Sequence, residues 1–528
     1  MLFKQVHKYL CIGVMLTAIV CQLTSAICNV LSGSVTEAIK GFYKLRRAYL
    51  TLDGIMQIES KYLKARMGGK RCSIASIPLS RQDTEKSMVN GHLPIHLNAS
   101  KQGNNQENTL REKDEAAVLD QLSSSETHHS IKPTITRTQS RLLDVEPSAV
   151  GIQSHTDIFI HSGTRLCYGI LLLVFSMIEN PMFNRILYIV GFQGDRERGT
   201  RYLWQAARFD NFNSAIAGFI LLGFYNNFIM FSDVLPTDSG ADDDLAGYPK
   251  TRCVMLLADM RRRYPGSKFW KLEEARMLST NRRLAESIKI LVDNSESHMK
   301  QIATINVFEL SLTSMFYHDY ELCARSWIQC AELGSWSPCL YAYITGIAYL
   351  EIYRDLRLAD PKIAETYRTK AIGFIRKAPP LAGKQKVMSK ELPFDIYIRR
   401  KVLKWEERAK AWKVDLHEAI GTSPITEMIF LWNGMKKQGP AELQKSLKTL
   451  QWERTSSPER FQQSVDEIAV HSSVMASVLR NMGKFAEARK ILTDNILNRE
   501  RYAISSPFLA RAISERILWE PRFPCMGN

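Results

Sequence analysis

The string GFQGDRERGT, residues 191–200, sets Gly194 and Gly199 at the spacing of a phosphate-binding loop, with Thr200 directly behind them. Such a loop cradles phosphates with backbone N–H groups and needs a Lys to reach them, on a turn between a strand and a helix. The Lys is missing and no strand pattern precedes the glycines. The structural alternative is a helix start, in which Gly194 turns the chain, Asp195 caps it and Glu197 complements the positive helix end. Gly191, Phe192, Gly194, Asp195, Arg196, Glu197 and Arg198 thus form a motif that is either structural or an interaction site.

A second constellation joins aromatic and basic side chains. Trp405 and Trp412 lie seven apart in KWEERAKAWK, among Arg399, Arg400, Lys401, Lys404, Arg408, Lys410 and Lys413. These could stack bases and hold phosphates, or the tryptophans could be the buried stripe of a helix with a solvated basic face. The acidic stretch PTDSGADDDLAG lacks the ligand order of a calcium loop. The histidines are scattered, apart from His128 and His129, and neither HExxH nor GxSxG occurs. No reaction is nominated, so the chain reads as non-enzymatic, with no cofactor and no metal.

The elements that must carry these residues come next. The chain has 528 residues, 45% of them hydrophobic, and a formal net charge of +16. That is a composition able to bury a large core, and it excludes global disorder. Residues 361–413 hold 15 basic and 5 acidic side chains, a block that could meet an acidic protein, anionic lipid or, less readily, nucleic acid. Ten dispersed cysteines without a CxxC read as buried thiols of an intracellular protein, not a disulfide framework.

Three apolar runs need placing. Residues 9–31 carry no formal charge and fit a buried helix, a membrane anchor or a signal peptide. Residues 166–178 are short for a bilayer span, and residues 215–231 carry Asn226 and Asn227, so both runs read as core helices. Residues 37–62 show helical periodicity through Phe42, Leu45, Tyr49, Leu52 and Met56. Residues 63–158 contain no Phe, Trp or Tyr, and such a polar stretch cannot bury enough apolar surface to offset ordering entropy. It is expected to be a disordered insertion.

From residue 159 onward the pattern is helical, as pairs of amphipathic helices joined by short turns. The best unit uses Ala476 and Leu479, a turn at Gly483, then Phe485, Ala488 and Leu492. Others use Ala275, Leu278, Leu284, Ile288 and Leu291; Tyr320, Cys323, Trp327 and Cys330; and Gly346, Tyr349, Ala371, Ile375 and Ala378. The expected fold is all-α, a divergent tetratricopeptide-repeat-like (TPR-like) solenoid. Its parts are residues 1–62 (N-terminal helices), 63–158 (insertion), 159–378 (repeats) and 379–528 (repeats with the basic block). A concave groove would hold a peptide or helix of a partner.

The strings SGTRLCYGILLLVFSMI, IVGFQGDRERGTRYLWQA, NSAIAGFILLGFYN, YPKTRCVMLLADMRRRYPGSKFWKLEEARM and MFYHDYELCARSW, with GSVTEAIKGFYKLRRAYLTLDGI nearer the start, add a further signal. Together they resemble the fungal inclusion body clearance proteins, TPR-type relatives of the animal tetratricopeptide-repeat family numbered thirty-nine. The resemblance spans about residues 28–62 and 155–520. It implies a protein of cytoplasm and nucleus that associates with inclusion bodies and lipid-droplet proteins and assists clearance after folding stress. Lipid-droplet or mitochondrial outer-membrane association is also implied, and no catalytic or ligand residues are carried over. Family members have further helical sequence ahead of the segment matching residue 28, where this chain has its first apolar run.

Overall fold

A computed structural model describes residues 35–66, 154–177, 194–232, 248–294, 299–334, 336–387 and 390–497. The apolar run 9–31, Gly191, Phe192, the acidic stretch, the His128–His129 pair and nearly all of the expected insertion lie outside them. The edges of that insertion are helical: α1 (Val35–Arg66) runs four residues into it and α2 (His155–Ser176) begins within it. The described residues are almost entirely helical. The exception is a two-residue antiparallel ladder, Lys386–Val387 with Lys390–Glu391.

The chain divides into two compact units. The first takes in the described residues of Phe42–Leu221 and Thr237–Ala258. Here α1 buries Leu45, Ala48, Leu52 and Ile55, an i, i+3, i+4 stripe, while Tyr43 and Leu50 face out. The apolar α2 is this unit's central helix, with Leu166, Leu171, Leu172 and Phe175 buried. Against it lie α3 (Arg196–Ala207) and α4 (Phe212–Leu222). Asn213 ties α4 to α2 by donating to the Phe159 carbonyl at 3.0 Å and to Ser162 Oγ at 3.1 Å.

The second unit takes in the described residues of Ile27–Gly41, Leu222–Pro236 and Asp259–Asn528. Three helix pairs follow one another: α6 (Lys268–Thr280) with α7 (Leu284–Asp293), α8 (Lys300–Tyr317) with α9 (Tyr320–Leu333), and α10 (Pro338–Leu356) with α11 (Pro361–Lys377). They come after α5 (Lys250–Arg263), which crosses from one unit to the other. From α7 to α11 each helix packs on its predecessor, which is the stacking expected of a TPR-like array. Small residues permit close crossings. A Cβ on Gly346 would stand 2.8 Å from the Ile375 backbone nitrogen. The turns reverse the chain through left-handed residues, Arg282 at φ 64 and His318 at φ 65, as Gly483 does at φ 79 farther on.

Cys323, Trp327, Ala371 and Ile375 are inside, as the periodicity predicts. Cys167, Cys253, Cys323, Cys330 and Cys339 are free buried thiols. Phe485 is a correction, since it is 66% exposed instead of lining its pair. The chain continues its packing across position 378/379. One hydrophobic core runs through it, holding Ala371, Ile375 and Ala378 together with Tyr397, Ile398 and Trp405. Helix α12 (Pro393–Trp412) packs on α10.

After α12 the chain breaks into short pieces: α13 (Pro424–Leu431), α14 (Pro440–Thr449) and α15 (Pro458–Gln462), separated by 3₁₀ turns. The last described pair is α16 (Val465–Asn481) and α17 (Phe485–Leu492).

Candidate partner-binding surfaces

A stacked array offers two sides, and the side built from the first helix of each pair is where a groove would bind a peptide. In this chain its own residues 416–450 occupy that side. The 3₁₀ turn Gly434–Lys437 lies on α6 and α8, and α13 lies on α8 and α10. Gly434 is needed because a Cβ there would stand 2.4 Å from the Phe316 ring. Gln438, fully buried, donates from Nε2 to the Phe316 carbonyl at 2.8 Å and accepts from Ser446 Oγ at 2.9 Å. The expectation of an open groove therefore fails on this stretch, because chain-internal side chains already satisfy its polar groups. Gly434→Val should cost about 1–3 kcal/mol from overpacking, read as a lower denaturant midpoint at unchanged slope.

His318 sits at the centre of this contact. Its Nδ1 is 2.8 Å from Tyr320 Oη and its Nε2 is 2.9 Å from both Ser446 Oγ and Gln438 Nε2. Burial, with help from Lys445, pushes the imidazole down to about 3. Burial, with help from Arg165, pushes His161 of the first unit down to about 2. Both rings are neutral when folded, whereas an unfolded His takes up a proton below about 6.5. Their stabilising effect is thus complete above that value and fades as pH falls towards the folded pKa. At pH 5.5 each histidine should have cost its unit about 1.4 kcal/mol relative to neutral pH. Unfolding titrations at pH 7.5 and 5.5 check this, and His318→Gln should reduce the second unit's response, leaving the share of His417 and His471, which burial also lowers.

A buried polar network anchors α13. Ser423 donates from Oγ to Glu351 Oε1 at 2.8 Å and accepts from the Thr426 N–H, an N-cap. Arg354 donates to the Ile420 carbonyl at 2.6 Å, and Arg454 pairs with Glu351 at 2.9 Å and with Asp355 at 2.7 Å. Glu351 is fully buried, and these partners answer its carboxylate oxygens.

The basic block proves to be mostly a clasp. Lys401 pairs with fully buried Glu427 at 2.8 Å, Lys404 with Asp466 at 2.6 Å, Arg408 with buried Glu467 at 2.7 Å, and Arg399 with Glu391 at 2.5 Å. Burial alone would raise the Glu467 carboxyl, but Arg408, Lys401 and Lys404 hold it below the ordinary glutamate range. Trp405 is 1% exposed and stacks on Tyr343, while Trp412 packs on Phe461. The block therefore does not present seven free cations beside two free rings. Among the described residues Arg400, Lys410 and Lys413 are exposed and show no ion pair.

The 191–200 motif is a packing device where it is described. Asp195 Oδ1 accepts from the Arg198 N–H at 2.9 Å and Glu197 occupies the first turn of α3, as expected. Gly194 has no positive φ. Its need is for space, since a Cβ would stand 2.2 Å from the Ser176 nitrogen. Gly199 likewise faces the Leu173 nitrogen at 2.8 Å and Gly169 faces the Gly199 carbonyl oxygen at 2.9 Å. Arg198 lies over the Tyr202 ring at 5.9 Å.

These features define a class, a TPR-like helical-repeat protein whose surfaces, more than any described cleft, are available to partners. The profile described as Iml2/Tetratricopeptide repeat protein 39 matches residues 5–482. The chain belongs to that family. The match takes in the apolar run 9–31 and stops just before Gly483. Inclusion body clearance protein iml2 of Sclerotinia sclerotiorum is 54% identical over 452 residues, covering 86% of this chain and 69% of that protein. The protein of the same name in Aspergillus terreus is 40% identical over 486 residues, 91% of this chain and 68% of its own length. That of Yarrowia lipolytica is 30% identical over 521 residues, 90% and 68%. No solved structure matches.

Proposed function

We propose that the chain is a non-catalytic adaptor that assists the clearance of misfolded-protein inclusions, working through inclusion components and lipid-droplet proteins in cytoplasm and nucleus. The observation that carries this reading is the 54% identity to a relative named for inclusion body clearance, over more than two thirds of that relative's length. The filled inner side adds a constraint, because partners must then engage outward side chains such as Trp336, Leu358 and Ile363, all exposed. The test is inclusion lifetime in a host deleted for the gene and released from folding stress. Re-expression of this chain should shorten it, with co-purification of inclusion and droplet proteins rising after stress. Unchanged lifetime would reject the reading.

A second reading, peripheral contact with a lipid surface such as a droplet or the mitochondrial outer membrane, is favoured by one feature. The charge-free helical stretch Phe212–Phe231 leaves Phe212, Phe219, Phe228 and Phe231 exposed. It and α2 are long and apolar enough to cross a membrane, although 72% of the latter's apolar window is buried in the fold. Alkaline carbonate separates the cases: release into the soluble fraction fits surface contact, and retention fits a span.

A further inference from the structure

The clasp leaves a remainder. Among the described residues Lys362, Lys370 and Lys377 on α11 and Arg400 and Lys410 on α12 are exposed and make no ion pair. Ring contacts hold two of them, Lys370 over Tyr367 at 5.3 Å and Lys377 over Phe374 at 5.7 Å, without cancelling their charge. Of the acids on these helices that reach the surface, Glu365 is held by Arg368 and Glu406 by Arg376, which leaves Glu407. The Arg376–Glu406 pair, at 2.8 Å, also joins the two helices. Leu403 and Lys410 sit one turn either side of Glu406, and Gly373 one turn before Arg376, so both exposed strips border the same bridge. The space above Gly373 is open, since a Cβ there would meet no described atom within 4 Å. Lys362 to Lys377 covers about 22 Å of α11, and Arg400 to Lys410 about 15 Å of α12.

The kind of cation selects the partner. Arginine, the planar fork that reads a carboxylate or phosphate in bidentate fashion, is spent inside the fold: Arg368 on Glu365 and Asp415, Arg376 on Glu406, Arg399 on Glu391. Four of the five cations that remain are lysines, hydrated point charges on flexible stems. Between those of α11 stand Thr366, Thr369 and Gly373, all exposed. Beside the cations Ile363 is 51% exposed and Leu403 56%. Mobile lysines around two exposed aliphatic side chains suit a fluid layer of anionic headgroups over hydrocarbon, where each basic residue adds attraction and each aliphatic one inserts. A shaped acidic peptide would call for fixed arginine forks instead.

We infer that the exposed side of α11 and α12 docks on an anionic phospholipid surface, with these cations among the headgroups and Ile363 and Leu403 beneath them. The inference extends the lipid-surface reading above to a separate face, so it can fail while the Phe212–Phe231 contact stands.

The test sediments the full chain with vesicles of phosphatidylcholine, either pure or with about 30% phosphatidylserine. Affinity for the anionic set should be at least about tenfold higher and should fall with added salt. Lys370→Gln, Lys377→Gln, Arg400→Gln and Lys410→Gln, made together, should remove most of that difference and leave binding to the neutral set unchanged. A control with the same loss of charge at exposed lysines of other helices, Lys289→Gln, Lys300→Gln, Lys448→Gln and Lys490→Gln, should keep it. All eight side chains are exposed, so circular dichroism should report an unchanged fold in both variants. Equal binding to the two vesicle sets would overturn this face and leave the Phe212–Phe231 contact standing, and binding to neither would overturn both. Equal losses in the two variants would assign the attraction to net charge and sink the face. Capture of poly-glutamate without a preference for anionic vesicles would give the face to an acidic protein and likewise overturn the assignment.

Discussion

Lys401→Ala should destabilise the second unit by about 3–5 kcal/mol, because it strands a buried carboxylate. Glu427 is fully buried, and its charge is answered by Lys401 at 2.8 and 3.0 Å and by the Tyr397 hydroxyl at 2.6 Å. With the ammonium gone, only the Tyr397 hydroxyl remains to answer a carboxylate in a low-dielectric site. Lys410→Ala removes the same formal charge from the same helix at an exposed position and should change stability by less than about 0.5 kcal/mol. Urea unfolding of both variants separates two accounts of the block. A partner-binding face predicts two stable proteins with weakened binding, and a clasp predicts one crippled fold beside one intact one. Lys401→Met, paired with Glu427→Leu, should recover much of the loss, since a well-packed apolar pair often matches a buried ion pair.

The clasp also shows why composition misled the eye. The count of charges in residues 361–413 is correct, but the acids that answer it lie elsewhere in the chain. Glu427 is 26 residues beyond Lys401, Glu467 is 59 beyond Arg408 and Asp466 is 62 beyond Lys404. A window sees only neighbours in sequence, whereas α12 finds its counter-ions on α13 and α16 by folding. The helix pairs were legible for the opposite reason. Their signals are local: Ala275, Gly346, Ala371 and Gly483 recur where one helix must approach or turn beside the next. The occupation of the inner side was not legible, because residues 416–450 form helices of ten residues or fewer, too short to show a period. Phe485 failed differently. Its place on the helical wheel is right for burial, but none of the described residues covers it.

The second large effect is expected at Gly194, where Gly194→Ala should cost the first unit about 3 kcal/mol or more. A real Cβ would meet the Ser176 nitrogen at 2.2 Å and the Phe175 carbonyl carbon at 2.4 Å, both backbone atoms of the last turn of α2. A clash with a flexible side-chain tip can be relieved by a rotamer change, but here a helix end must move, which places the cost at the top of the range for overpacking. Moving it would also loosen the hydrogen bond from the Asp195 N–H to the Leu172 carbonyl at 3.2 Å, and with it the cap that starts α3. Arg196→Ala, one position past the cap on an exposed side chain, should be near neutral. Thermal unfolding monitored in the first unit, for instance by the fluorescence of Trp204 on α3, should show an early transition for the glycine variant and an unaltered one for the arginine variant. If Gly194→Ala instead folds normally and loses only a partner, the glycine serves recognition, and the packing account of the GFQGDRERG motif is wrong.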